Sequence, residues 1–333
     1  MNAAEILDSF TEIGAALDAE NVYAVTDTNV KALYPDIFAR VRHTAIPAGE
    51  TNKNLATVGD IIADMVEAGS DRKTTLVAVG GGVVGDTAGY AAASFMRGVK
   101  WINVPTTLLA SVDSGIGGKT GVDVKGYKNV AGAFHLPERV LICPQWLQTL
   151  PEREWLCGCG EMIKHALLSA EIYAATVPAL AKLLARDPVV TAKLVAMSVR
   201  YKESVVAADL KEGGLRKRLN VGHTVGHAVE NLDGFRLSHG EYVALGIIAE
   251  MTMLREKTDP AFYTAAVAMA KSVCRHAFPD VSAEKITDAA RADKKNADGK
   301  IVIMLPYGGG KVDEVSLSPA EFKERLKNCL PRL

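Results

Sequence analysis

Along the first 150 residues, short apolar, β-branched runs alternate with stretches of helical period. VYAVTD at 22–27, TTLVAVG at 74–80, WINVP at 101–105 and RVLIC at 139–143 read as buried strands, and NLATVGDIIADMVEAG is typical of the helical stretches between them. This alternation predicts an α/β domain over residues 1–150, a parallel sheet with helices packed on it. Beyond 150 the pattern turns to long helices, each with a start signal: Leu-Pro-Glu at 150, Asp-Pro at 187 and 259, Ser-Pro-Ala-Glu at 318. One hairpin is expected there, KIVIMLPYGGGKVDEV, with a glycine run between two apolar strands. Residues 151–333 thus form a second, mostly helical domain. With no repeat, low-complexity tract or linker, the two meet in a tight hand-over near 145–155.

Length and composition agree with two cores, since 333 residues at 48% hydrophobic can bury them. Lysine and arginine total 38 against 39 acidic residues, so no global field draws the chain to nucleic acid or a membrane surface, and any anion site must be local. No window approaches the ~20 apolar residues of a membrane span, and MNAAEILDSF lacks a targeting pattern, which predicts a cytoplasmic protein. The cysteines are odd in number and scattered, as suits reduced thiols, and Cys157 and Cys159 read as buried small residues rather than a metal clip.

In LVAVGGGVVGDTAGY a strand leads through Gly80, Gly81, Gly82, Val83, Val84 and Gly85 into a helix. This GxGxxG spacing lets backbone N–H groups and a helix N-terminus approach a pyrophosphate. Such turns also serve packing alone. The loop does not follow the first strand, and no acidic residue stands at the usual distance downstream, so the nucleotide fold would be a Rossmann-like variant in which Asp27 meets the ribose from another strand.

The segment LNVGHTVGHAVENLDGFRLSHGE gathers His223, His227 and His239, three of the seven histidines, each beside a glycine. His223 and His227 share a helical face as an HxxxH pair, and His239 follows on what looks like the next helix. Upstream, CGCGEMIKHALL carries Glu161, Lys164 and His165 on a helix that begins with glycines. One carboxylate and two imidazoles leave the open position that a catalytic zinc requires. Spacing does not choose the two histidines, and His227 and His165 remain rivals.

GGGVVGD at 80–86, MRGVKWINVPTTLLASVDSGIGGKTG at 96–121, KNVAGAF at 128–134, GEMIKH at 160–165 and GLRKRLNVGHTVGHAVE running on to SHGE resemble the 3-dehydroquinate synthase family over roughly residues 20 to 310. The resemblance implies conversion of 3-deoxy-D-arabino-heptulosonate 7-phosphate, a small-molecule sugar phosphate, to 3-dehydroquinate in the shikimate pathway, with NAD⁺ and a divalent metal, usually Zn²⁺ with Co²⁺ as an alternative. It makes Glu161, His223 and His239 the metal ligands and His227 a catalytic neighbour. The NAD⁺ positions would be Asp27, Asn29, Glu50, Lys53, the loop from Gly80 to Asp86, Thr106, Thr107, Lys119, Lys128 and Thr149. Around the substrate it places Asp113, Lys119, Asn129, Lys164, Lys202, Arg216, Asn220 and a lysine of the Lys294/Lys295 pair, the second being favoured. Arg97 would reach the phosphate from the neighbouring subunit of a homodimer.

The implied reaction is an alcohol oxidation, phosphate elimination, ketone reduction, ring opening and aldol closure, with the hydride returned to the substrate. A substrate with a carboxylate and a phosphate explains why a nearly neutral chain gathers cations in these motifs. Arg216 suits the carboxylate, which a guanidinium grips bidentately, and Glu212, four residues earlier, would orient it or form a surface ion pair. Thr106 and Thr107 at a strand end suit ligand contact or helix capping.

Family members usually open with an additional strand pair, whereas AAEILDSFTEIGAAL has only a helix-like pattern here, so the sheet is expected to be smaller at one edge. Gly160 stands where alanine is common, and VDVKGYKN replaces a loop with histidine and proline. The rivals are a cyclase for a sugar phosphate without the carboxylate, a metal-dependent alcohol dehydrogenase, and a catalytically dead binding protein. The cations favour the carboxylate-bearing substrate.

Overall fold

The computed structural model describes residues 4–125, 127–210, 214–292 and 299–333. It divides into two units. The first holds the chain up to Pro151 together with Lys202–Ala207, and the second holds Glu152–Tyr201 and the chain from Ala208 onward.

In the first unit, β1 (Glu5–Ile6), α1 (Thr11–Leu17), β2 (Val22–Asp27), α2 (Thr28–Leu33), β3 (Arg42–Ile46), α3 (Leu55–Glu67), β4 (Thr75–Gly80), α4 (Gly82–Ser94) and β5 (Trp101–Pro105) precede a hairpin, β6 (Lys119–Val124) and β7 (Tyr127–Phe134), and then β8 (Arg139–Ile142). Six strands form one parallel sheet in the order β1-β8-β5-β4-β2-β3. The chain moves outward from β2 to β3, then returns across β2 to β4, so the strand order reverses between β2 and β4. α2 and α4 accordingly cover opposite faces: Val30 packs with Ala24, Val77 and Val79, whereas Val84 and Ala88 pack with Val25 and Ala78 on the other side. A reversal of this kind opens a crevice at the carboxyl ends of the two strands. Asp27 ends β2 and Gly80 ends β4, and their strands run in register, Thr26 beside Val79.

The sheet departs from the sequence expectation at its edge and gains elements the apolar pattern did not reveal. The opening segment is not only helical, because Glu5 and Ile6 pair with Leu141 and Ile142 as an edge strand and the sheet keeps a sixth member there. The pairing is held by a bidentate bond from Arg139 to Glu5, at 2.7 and 2.6 Å, which a reading of apolar period does not detect. β3 and the β6–β7 hairpin are also absent from the sequence reading. β3 is mostly half-buried and β7 mostly exposed, so neither shows an apolar run.

The second unit carries α5 (Glu152–Leu168), α6 (Ala170–Leu184), α7 (Pro188–Ala208, whose segment Lys202–Ala207 belongs to the first unit), α8 (His223–Leu232), α9 (His239–Met253), α10 (Pro260–Val273), α11 (Ala283–Arg291), the hairpin β9 (Ile301–Gly308) and β10 (Lys311–Leu317), and α12 (Pro319–Cys329). The expected hairpin is present, turning at Gly309 and Gly310. α5 begins at Glu152, following Pro151, and not at its glycines. Those glycines lie inside the helix, and Gly160 serves packing against α9. No helix among the described residues is long and apolar enough to cross a membrane.

Candidate functional site

Histidines stand at the first position of α8 and of α9, and the local sequence fixes both starts. Gly222 takes a left-handed φ of 76° and offers α8 no side-chain cap. The cap comes from Glu250 on α9, whose buried carboxylate accepts the Gly222 and Val225 N–H groups, both at 2.9 Å. α9 opens with a capping box in which Glu241 accepts both the N–H and the hydroxyl of Ser238 at 2.8 Å.

Glycines then bring the helices together. A Cβ on Gly240 would lie 1.9 Å from the Cys157 carbonyl oxygen, and one on Gly246 would lie 1.8 Å from the Gly222 oxygen. One on Gly160 would lie 2.4 Å from the Gly240 oxygen. α5, α8 and α9 therefore touch backbone to backbone, which only glycine permits. Three of these glycines neighbour a site residue: Gly160 precedes Glu161, Gly222 precedes His223, and Gly240 follows His239.

The result is a convergence on Glu161, which is fully buried. Its Oε1 lies 3.4 Å from His223 Nε2 and 3.2 Å from His239 Nε2. Lys164 pairs with the other oxygen. The far ring nitrogens are held by acceptors: His223 Nδ1 is 2.9 Å from the Val221 carbonyl, and His239 Nδ1 is 3.3 Å from the buried Glu230 carboxylate. Burial pushes the His223 imidazole down, so it is neutral, and a proton donated from Nδ1 leaves the Nε2 lone pair facing a carboxylate oxygen. Burial also acts to lower His239, but bonds to Glu161 and Glu230 outweigh it and raise the ring to about 9. A proton there, or a divalent cation between the three donors, would neutralise the same carboxylates. Two imidazoles and one carboxylate, each imidazole oriented by an outer acceptor, fit zinc with an open fourth position.

His227 adds its ring to this group, with centroids 4.8 Å from His223 and 5.6 Å from His239. His165 is fully buried and lies against the Tyr201 ring at 5.6 Å. Arg216, 3% exposed, sits in the short turn Leu215–Asn220, its guanidinium donating to the Leu210 carbonyl at 2.8 Å and its N–H to Asp209 at 3.0 Å. Asn220 ends that turn half-buried. Glu212, Lys294 and Lys295 lie outside the described residues. Glu230 and Glu250 escaped the sequence reading. Glu230 was findable, since 223, 227 and 230 fall on one stripe of a helix; Glu250 was not, because its partners lie 25 and 28 residues away.

In the first unit, Gly81 precedes α4 and Gly82 begins it, with no side-chain cap on the helix N-terminus. Thr107 packs 3.0 Å from the Cβ position of Gly81 and Ser114 3.1 Å from that of Gly82, so the turn is enclosed as well as bare. Val83 and Val84 follow in the first turn of α4, with Val84 packed under Gly80. A cavity of about 10 Å³, room for one water, is bounded by Gly81, Gly82, Gly85, Asp86, Ser114 and Lys119, among others. Thr106 donates its N–H to the Gly80 carbonyl at 2.9 Å, and Thr107 caps Ala110 at 3.2 Å. Asp27 caps α2, accepting from Asn29 and Val30 at 2.9 Å. Lys53 pairs with Asp86 at 2.6 Å and donates to Asn129 at 2.7 Å. Burial would lower the Lys53 ammonium, but Asp86 and Glu50 keep it raised and charged. Glu50 lies 3.9 Å from Lys128. Lys202 is buried and bonded to Asp113 at 2.6 Å. Thr149 is exposed, 2.9 Å from the Tyr34 hydroxyl. Arg97 is exposed on a bend where both it and Met96 have positive φ, 72° and 47°.

Comparison with known proteins sets this geometry in a class. The solved 2-epi-5-epi-valiolone synthase of Streptomyces hygroscopicus subsp. jinggangensis 5008, with NAD⁺ and Zn²⁺ bound, superposes with a TM-score of 0.88 at 26% identity, covering 100% of this chain and 98% of that one. The fold is that of the sugar phosphate cyclases. Family models for the 3-dehydroquinate synthase N-terminal and C-terminal regions match residues 43–157 and 158–296. The 3-dehydroquinate synthase of Alkaliphilus metalliredigens is 37% identical over 94% of this chain and 91% of its own length. That of Acetivibrio thermocellus is 38% identical over 98% and 95%. The chain belongs to the 3-dehydroquinate synthase family.

Proposed function

We propose that this protein converts 3-deoxy-D-arabino-heptulosonate 7-phosphate to 3-dehydroquinate and phosphate, as a phosphate-eliminating lyase with a transient redox cycle. Relatives of that name over nearly the whole chain support the activity, and a neighbour holding NAD⁺ and Zn²⁺ supports the cofactors. The observation that carries the reading is the meeting of two oriented imidazoles on the buried Glu161 carboxylate. When bound, the cation supplies polarisation of the substrate hydroxyl and NAD⁺ supplies reversible hydride acceptance.

Glu161, His223 and His239 hold the cation, with Glu230 and the Val221 carbonyl fixing the rings. His227, beside both ligand rings, moves a proton or contacts the phosphate. Lys164 is buried and can afford to bind a substrate anion because Glu161 balances its charge. Arg216 takes the substrate carboxylate, held in place through Leu210 and Asp209. In the first unit, the bare amides of the glycine turn take the pyrophosphate and Asp27 the ribose, as the strand-order reversal favours. Lys53 keeps Asp86 neutralised, while Lys202 and Asp113 form a balanced pair for substrate hydroxyls.

A homodimer with Arg97 acting across the interface belongs to the same proposal. It is supported by the left-handed bend that carries exposed Arg97, and by Tyr127, Val130 and Phe134, exposed along β7.

The test supplies the heptulosonate phosphate, NAD⁺ and zinc. Phosphate and cyclic product should form in equal amounts with no net NADH. Accumulating NADH would mark a dehydrogenase, and turnover only of sugar phosphates lacking the carboxylate would mark another cyclase.

A further inference from the structure

A second group of metal-ligating side chains lies in the same unit, on residues that the proposed reaction does not use. Glu241, in the first turn of α9, is buried, as is Cys274, which caps the C-terminus of α10. His276 follows two residues later with its side chain 63% exposed. Its Nδ1 lies 2.9 Å from Glu241 Oε1, and the Cys274 thiol lies 3.8 Å from the His276 carbonyl oxygen. One donor atom from each residue falls within 4.8 Å of the others. The second carboxylate oxygen of Glu241 is occupied by the capping box, so the side chain is fixed while Oε1 faces the histidine.

We propose that Glu241, Cys274 and His276 form a second divalent-metal site of the zinc class, distinct from the Glu161 centre. Thiolate, imidazole and carboxylate together are a donor set that zinc and cobalt favour over magnesium or calcium. Three protein ligands leave one position for water, and the exposed histidine gives the ion a path in. Entry requires little movement. The proton between Nδ1 and Oε1 moves to the solvent-facing Nε2, which is a change of tautomer, and the ion takes its place. Burial raises the Cys274 thiol to about 11, so it is protonated without metal and gives up its proton to solvent on binding. The site clamps Glu241, which caps the helix start carrying His239, to the end of α10.

Cobalt(II) added to metal-free full-length protein tests this, because the Glu161 centre contains no sulfur. A sulfur-to-cobalt charge-transfer band should appear in the wild type, vanish in Cys274→Ser, persist in Cys329→Ser, and be displaced by zinc. His276→Ala should need at least about tenfold more cobalt to reach the same band. A wild type with no band under excess cobalt overturns the site, as does a band undiminished in Cys274→Ser. Should Cys274→Ser fail to fold, the exposed His276→Ala decides, and a titration identical to wild type there rejects the proposal.

Discussion

The two histidines that face Glu161 differ in what holds them. His223 is oriented by a main-chain carbonyl that no substitution removes, whereas His239 depends on the Glu230 side chain. Glu230→Gln should therefore weaken metal binding by about 10–100-fold, measured by zinc competition with a chelating dye, and excess zinc should restore turnover. His227→Ala is expected to behave in the opposite way, keeping zinc content while losing most turnover. Loss of metal in that variant would make His227 a ligand. Arg216→Ala should raise KM or abolish activity with zinc content and NAD⁺ affinity intact, because a guanidinium carries no lone pair to offer a metal and this one is held at the Leu210 carbonyl.

At the scale of elements, the helix crossings set the geometry. Gly246→Ala places a methyl group 1.8 Å from the Gly222 carbonyl oxygen, a contact that main chain cannot relieve without separating α8 from α9. A loss of about 3 kcal/mol in denaturant unfolding is expected, together with weaker zinc binding, since His223 directly follows Gly222 at the end of α8 that is pushed away. The sheet edge makes a smaller, pH-dependent contribution. The bond from Arg139 holds the Glu5 carboxyl below its usual value near 4.5, so the pair stabilises the fold above that value and its contribution is lost as pH falls through the lower folded value. Both side chains are about 40% exposed, which limits the effect to about 0.5 kcal/mol. Glu5→Gln should lower stability by that amount at neutral pH and match the wild type near pH 3.

For the whole molecule, a cation that binds only the folded chain must stabilise it. Zinc at about 100 times its dissociation constant for the Glu161 centre should add about 2.7 kcal/mol through that site, seen as a raised melting temperature in the wild type and as a smaller rise in His223→Ala. If Arg97 acts across a dimer, mixing inactive Arg97→Ala with inactive Glu161→Gln should restore activity through mixed dimers, and no recovery would place Arg97 in its own subunit's site. Much of this molecule was legible in the sequence. Alternating apolar runs announce the parallel sheet because buried strands must be continuously apolar, and long helical periods announce the second unit for the same reason of burial. The residue types at 161, 223, 227 and 239 announce metal chemistry because few other uses require carboxylate and imidazole so close together. Only the tertiary structure decided that Glu161 Oε1 faces two Nε2 atoms, that Glu230 and Glu250 stand behind them, and that β1 closes the sheet edge. Those arrangements depend on glycines meeting across helices up to 80 residues apart, as Gly160 meets Gly240, and on ion pairs such as Arg139 with Glu5. Local pattern fixes which face of a segment is buried; what that face meets is settled by packing between distant parts of the chain.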